Sequence, residues 1–376
     1  MSRIAVVEPH ALRLPAATPG GREEECFLLR LVTEDGTEGW GEAHGSPWLA
    51  RAVVEAPVTH VTAQGLRPLL LGQEAGDVAA LRHRMVKGTQ WIGRDGVVMQ
   101  AIAAAELALW DIAGRRASMP VARLLSRAPR RHLPCYASAK VGPTPEATAA
   151  RIAAERAAGF AAHKIGWPPF GASLESDLAF LEAARGAAAP DALLMVDAAQ
   201  AFDEATALAR AQAFRRFDLA WIEEPLDRDD LDGLARLRRD SPVPIASGEG
   251  ECGLPGLRRV AERVAVLQPD VTRCGVLAAL AAAPSAPRVC SHSFTTLLNV
   301  VAHAHMLAAL PNGWMLEWPV GGIARWDVLF PDALRPVDGM LTVPEGAGWG
   351  IRPDPAALER YRLPWGVAES SKESGA

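Results

Sequence analysis

"ALLMVDAA" (192–199), "LAWIEEP" (219–225) and "VPIASGE" (243–249) are built alike, each a short apolar run that ends in a carboxylate. Runs of this length with polar flanks read as buried strands. The carboxylates are Asp197, Glu223 and Glu249, spaced by 26 residues in both steps. Between them lie stretches such as "ATALARAQAFRRF" (205–217), rich in Ala and Arg with apolar residues at helical spacing. The same alternation extends upstream through "HLPCYAS" (132–138) and "AAHKIGW" (161–167). Downstream it runs through "VAVLQPDV" (264–271), "RVCSHS" (288–293) and "GWMLEWP" (313–319). Strands alternating with helices imply parallel βαβ units, and eight of them predict an α/β fold of the (β/α)8 barrel type.

The barrel is expected over residues 121–318. Ahead of it, 1–120 reads as an α+β domain. Strand-like "IAVVEPHALRLP" (4–15) and "ECFLLRLVTEDGTEGWGE" (25–42), with a turn at Asp35-Gly36, precede three helical stretches. The segment 319–376, broken by Pro and Gly, is expected to return to that first domain, with a polar tail from about 367.

Composition excludes several classes of function. Of 376 residues, 49% are hydrophobic and 22% charged, and the net charge of −5 comes from mixed signs. The basic runs, Arg130 to His132 and Arg236 to Arg239, are short and read as solvated helix ends, so no nucleic-acid partner is expected. No basic segment followed by an apolar core opens the chain, and no run of roughly 20 apolar residues is evident, which predicts a cytoplasmic protein without a membrane partner. Five cysteines are scattered without a CxxC pair and read as small buried fillers, not as a zinc or disulfide framework.

The strand ends carry the chemistry. Asp197, Glu223 and Glu249 end successive strands and must converge on one mouth of the barrel, where barrel enzymes keep their active sites. One of them alone reads equally well as a helix cap; three in register do not. Carboxylates this close repel one another unless a cation neutralises them, and an all-oxygen donor set points to Mg²⁺, with Mn²⁺ as a substitute. The next two strands end at Asp270 and His292, an acid beside an imidazole, which makes a general base. The eighth adds Glu317. Lys164, in the second run, taken alone reads as the wet end of a strand; set among these neighbours it becomes a cation opposite the His–Asp pair. A cation site flanked by an ammonium and an imidazole suits removal of the proton next to a carboxylate, because the resulting enediolate carries two negative charges.

These segments, together with "AIAAAELALWDIAGR" (101–115), "SGEG" (247–250) and "LQPDVTRCGV" (267–276), resemble the enolase superfamily, specifically the mandelate racemase branch of the mandelate racemase/muconate lactonizing enzyme family, over nearly the whole chain. The resemblance implies a modified TIM barrel under an α+β capping domain whose loops choose the substrate. It implies Asp197, Glu223 and Glu249 as Mg²⁺ ligands with Glu224 behind them, Asp270 and His292 as the catalytic dyad, and Glu317 as an acid on the substrate carboxylate. Arg273 falls where a cation lies near the ligands. The sequence departs from the family at Gly166, where a second lysine often serves as a base, and at Ala199, where an asparagine often meets substrate. Sliding the alignment by two residues would instead make Lys164 that base. His44, Trp91 and Arg94 are candidates for covering the substrate. The implied activity is an acid-sugar dehydratase acting on a small carboxylate substrate in a homo-oligomer. A racemase or epimerase, a cycloisomerase and a non-catalytic sugar-acid binder remain as alternatives.

Overall fold

The computed structural model describes residues 2–16, 23–320, 328–331 and 334–364; the polar tail from 367 lies outside them. The chain opens with an antiparallel meander of β1 (Ile4–Leu14), β2 (Glu24–Thr33) and β3 (Glu38–Ala43). The β2–β3 turn falls at Asp35-Gly36, where Gly36 takes φ +80° and Asp35 accepts from the Thr33 hydroxyl and the Thr37 amide.

Helix Val97–Ala117 lies across this sheet. Gly39 and Gly41 of β3 permit the approach, since a Cβ at either would stand 2.1 Å from Ala108 O or 1.9 Å from Ala104 O. This helix corrects one reading of the sequence, because by length and composition it is apolar enough to cross a membrane. It is instead a core helix, with 83% of its most apolar stretch buried. Its two internal acids are both partnered. Glu106 pairs with Arg82 at 2.7 Å, and Asp111 accepts from the amides of Trp40 and Trp349.

Eight parallel strands follow: β4 (His132–Ser138), β5 (Ala162–Gly166), β6 (Leu193–Asp197), β7 (Leu219–Glu223), β8 (Ile245–Ser247), β9 (Val266–Leu267), β10 (Arg288–Val289) and β11 (Leu316–Pro319). Each coincides with one of the eight sequence runs. β11 pairs with β4, and the ring closes where Trp314 N donates to Val289 O at 2.7 Å and Val289 N to Asn312 O at 3.0 Å. Tyr136, Met195, Trp221, Cys290 and Met315 fill the axis, so the barrel is a packed core with a floor beneath its mouth. All five cysteines are buried and none is in a disulfide.

Helices connect each strand to the next. Beyond β11, β12 (Met340–Thr342) pairs antiparallel with the first half of β4, the part β11 leaves free. The chain then reaches the meander, where Arg13 N donates to Tyr361 O and Leu363 N to Ala11 O.

Candidate active site

Gly166, Asp197 and Glu223 stand in register at the ends of β5, β6 and β7. Just past these ends Trp167, Ala199, Gln200 and Glu224 take φ of +65°, +47°, +62° and +37°. Left-handed backbone costs a residue with a Cβ roughly 1 kcal/mol or more, and such strain gathers at functional sites. Here it falls just after β5, β6 and β7, next to Asp197 and Glu223.

Lys164, two residues back on β5, points to the same place. Its Nζ lies 2.5 Å from Glu223 Oε1, 2.8 Å from Glu317 Oε1 and 3.8 Å from Asp197 Oδ2. Burial disfavours its charge, but Glu223 and Glu317 more than compensate and hold the amine well above the ordinary lysine range. The other oxygen of Glu223 accepts from Trp221 Nε1 at 3.0 Å and Gln268 Nε2 at 2.7 Å. Asp197 accepts from Ala199 N and from Trp167 Nε1. Burial, with Glu223 adding its charge, pushes the Asp197 carboxyl up to about 7, and burial raises Glu249 well above the usual range.

Opposite stands Asp270. Its Oδ1 accepts from Thr272 N at 2.8 Å, Thr272 Oγ1 at 2.6 Å and Asn299 Nδ2 at 3.3 Å. Its Oδ2 faces His44 Nδ1 at 2.7 Å and His292 Nδ1 at 3.4 Å. His292 Nε2 lies 3.6 Å from Glu249 Oε2. Burial opposes a charge on His292, but Glu249 and the bond to Asp270 lift the imidazole to about 10.

A cavity of about 330 Å³ separates the two groups, lined by His44, Lys164, Asp197, Glu249, His292 and Glu317, with Trp167 and Phe294 as aromatic walls. The structure therefore brings together every expected site residue except two, Trp91 and Arg94; Glu223 lies immediately beneath, on Lys164. Trp91 stacks on His60 at 4.5 Å in the first domain, and neither it nor Arg94 lines the cavity. Their loop lies beside the next rim segment, where Asp95 adds to the upward push on the Glu251 carboxyl.

The domain model for mandelate racemase/muconate lactonizing enzyme N-termini matches residues 2–126, and the enolase C-terminal domain-like model matches 147–357. The chain belongs to the mandelate racemase/muconate lactonizing enzyme family. It is similar to D-galactarolactone cycloisomerase of Agrobacterium fabrum, 28% identical over 96% of this chain and 99% of that one. It is likewise similar to L-rhamnonate dehydratase of Saccharopolyspora erythraea, 30% identical over 88% and 83%. The solved 3,6-anhydro-D-galactonate cycloisomerase from Zobellia galactanivorans superposes with a TM-score of 0.87 at 27% identity, over 96% of this chain and all of that one.

Members of this superfamily generally use Mg²⁺, and the donor chemistry decides where it fits here. Asp197, Glu223 and Glu249 offer only oxygen, each carboxylate has more lone pairs than its protein partners use, and burial, to which neighbouring carboxylates add, makes a charge on Asp197 and Glu249 costly without a cation. The ligand atoms of His44, Asp270 and His292 also lie within 4.8 Å of one another, but two imidazoles suit softer metals. The carboxylate set is the one that fits Mg²⁺.

Three further site residues have partners of their own. Glu317 accepts from Ser293 N at 2.7 Å and pairs with Lys164; burial would raise its carboxyl, but the ammonium holds it below the usual range. It thus anchors Lys164. Glu224 accepts from Gln200 Nε2 at 2.8 Å, and Arg273 donates to Gly250 O, bracing the segment that carries Glu249.

The sequence reading missed Trp221 and Gln268, which hold Glu223, and Thr272 and Asn299, which hold Asp270. Gln268 had a signal, standing two residues before Asp270 on the same inward face. Asn299 had none, because its partner is 29 residues away.

Proposed function

We propose that the chain is a Mg²⁺-dependent sugar-acid dehydratase that works from one face of its substrate. His292 Nε2 takes the α-proton, with Asp270 fixing the ring through Nδ1. Lys164, clamped by Glu223 and Glu317, holds the substrate carboxylate and the negative charge that grows on it as the enediolate forms. A divalent cation on Asp197, Glu223 and Glu249 would supply further positive charge at that carboxylate and draw Glu249's charge away from His292. The enediolate then expels the β-hydroxyl, and the enol left behind tautomerises to a 2-keto-3-deoxy acid.

One observation favours this reading over a racemase, which needs a base on each face. A Cβ at Gly166 would lie 2.1 Å from Asp197 O and 2.7 Å from Asp197 Cβ, so the backbone admits no side chain where the second base would stand. Lys140, the other amine lining the cavity, is exposed at the rim with its ammonium 4.6 Å above the Trp167 ring. Cycloisomerisation is the second reading, supported by the end-to-end match to a cycloisomerase. It uses the same one-sided α-proton removal with a different departing oxygen.

The test is a panel of aldonic and aldaric acids and their lactones, assayed with Mg²⁺ for semicarbazide-reactive keto acid and, in D2O, for label at the α-carbon. Keto acid from an open-chain acid is expected. Lactone isomerisation without keto acid from any open-chain acid would give the cycloisomerase reading the lead, and α-epimerisation would restore the racemase.

A further inference from the structure

The dehydratase reading leaves one chemical requirement without an owner. A β-hydroxyl is a poor leaving group and must take a proton as it departs, while His292 is occupied with the α-proton. The structure places a second imidazole beside it. His44 follows β3 of the first domain and is fastened to the barrel on both sides. Its own amide donates to Thr272 O at 3.2 Å, and Glu42, two residues earlier, accepts from Thr296 Oγ1 at 2.6 Å and Asn299 N at 3.1 Å. His44 is therefore part of the barrel rim and not a swinging cover.

Its ring lies parallel to that of His292, within 3° and with centroids 5.5 Å apart. Both Nδ1 atoms face the same oxygen of Asp270, because Thr272 and Asn299 occupy the other. With ring planes parallel and both Nδ1 atoms on one carboxylate oxygen, His44 and His292 form a stacked pair on the wall of one cavity. His44 lines the cavity with about a third of its side chain, 31%, exposed. His44 and His292 share that one oxygen, and the shorter contact, 2.7 Å against 3.4 Å, belongs to His44.

We propose that His44 is a second catalytic residue, the acid that protonates the oxygen leaving the β-carbon on the face from which His292 takes the α-proton. The proposal rests on the dehydratase reading. His292 Nε2 accepts the α-proton as the C–H bond breaks and the electron pair passes into the enediolate; that pair then becomes the Cα–Cβ double bond as the Cβ–O bond breaks. The oxygen takes the Nε2 proton of the His44 imidazolium and leaves as water. His44 is left neutral, its remaining proton on Nδ1 toward Asp270. Solvent then returns a proton to His44 and removes one from His292, so the net change is loss of one water from the substrate.

The experiment compares wild type, His44→Gln, His44→Phe and His292→Asn on two probes with Mg²⁺. These are the acid that the wild-type enzyme dehydrates fastest in the panel and its 3-deoxy-3-fluoro analogue, whose fluoride departs without a proton. Both His44 variants should lose about 10²- to 10⁴-fold in keto-acid formation from the hydroxy acid. They should keep α-deuterium exchange and fluoride release within about tenfold, which also shows that the site is folded. His292→Asn should lose all three reactions. If the His44 variants lose exchange and both eliminations in parallel, His44 only holds Asp270 and the acid role is overturned; undiminished dehydration overturns it as well. Wild-type exchange without keto acid from any acid in the panel removes the dehydratase reading itself, and the acid role falls with it.

Discussion

One wall of the cavity is a cation ringed by anions, Lys164 among Glu223, Glu317 and Asp197; the other is an anion ringed by imidazoles, Asp270 among His44, His292 and His303. Both centres are buried, yet they suit opposite tasks. Lys164 meets three carboxylates, is held protonated, and so serves as fixed charge. Asp270 meets groups whose ordinary pKa lies near neutrality, which lets protons move. Even there the imidazoles differ. His303 accepts from Val271 N at Nε2 and donates from Nδ1 to Asn299 O, which fixes it as the neutral tautomer, while His44 and His292 turn Nδ1 to Asp270 and line the cavity. A site built this way holds the substrate from one side and does its proton chemistry from the other.

The largest effect should come from the charge wall. Stripping divalent metal with a chelator should abolish turnover and added Mg²⁺ should restore it, while Asp197→Ala should bind the ion too weakly to recover, as read by titration calorimetry. Full activity after stripping would mean that Lys164 alone carries the charge. On the proton wall, His292→Asn should lower turnover by about 10²- to 10⁴-fold or more and stop α-exchange while substrate binding persists. Unchanged exchange would move the base elsewhere. Lys164→Met should raise KM and lower kcat together, because a fixed cation acts on both the bound carboxylate and the enediolate. In wild type, deuterium should enter a single α-configuration. Exchange from both α-epimers would break the one-sided comparison and make Lys140, poised over Trp167, the first residue to replace.

Much of this arrangement is legible in the sequence because it repeats locally. Each strand is a short apolar run and each crossover an amphipathic stretch, so the ring could be counted, and the even spacing of Asp197, Glu223 and Glu249 put all three at one end of it. Gly166 was visible as a departure, but its reason was not: the close approach of the Asp197 backbone exists only once β5 and β6 pair. His44 is readable in the sequence only as a candidate for covering the substrate, and its bond to Asp270 spans 226 positions and has no local signature. Trp91 and Arg94, expected over the substrate, do not line the cavity, and loop residues carry no period that says which way they face. The apolar helix Val97–Ala117 shows the limit from the other side, composition alone being unable to separate a core helix from a spanning one.

Gly166 offers a smaller effect that sharpens the comparison. Gly166→Ala places its Cβ against β6 backbone, and such overpacking costs about 1–3 kcal/mol, read as a lowered melting temperature with the dyad untouched. An unchanged melting point would mean that β5 and β6 can part enough to admit a side chain, and that a second base was open to this fold.

An effect of similar size, confined to high pH, concerns Glu42, behind the proton wall. It sits fully buried where β3 meets the barrel, bonded to Thr296 Oγ1 and Asn299 N, with Asp270 as its charged neighbour. Burial pushes its carboxyl up to about 7, and Asp270 adds to the push. The unfolded chain ionises Glu42 near 4.5, so between that pH and about 7 the folded state holds the proton that the unfolded state has released. Stability from this group must therefore fall as pH rises across that window, by about 3 kcal/mol at most when the full shift is counted. Glu42→Gln keeps an oxygen for both donors and cannot ionise. Its melting temperature should match wild type near pH 4.5 and exceed it by several degrees at pH 8. A gap that stays constant across the range would show that Glu42 enters the folded state ionised, in which case a second anion stands behind Asp270 and the proton wall carries more negative charge than its imidazoles balance.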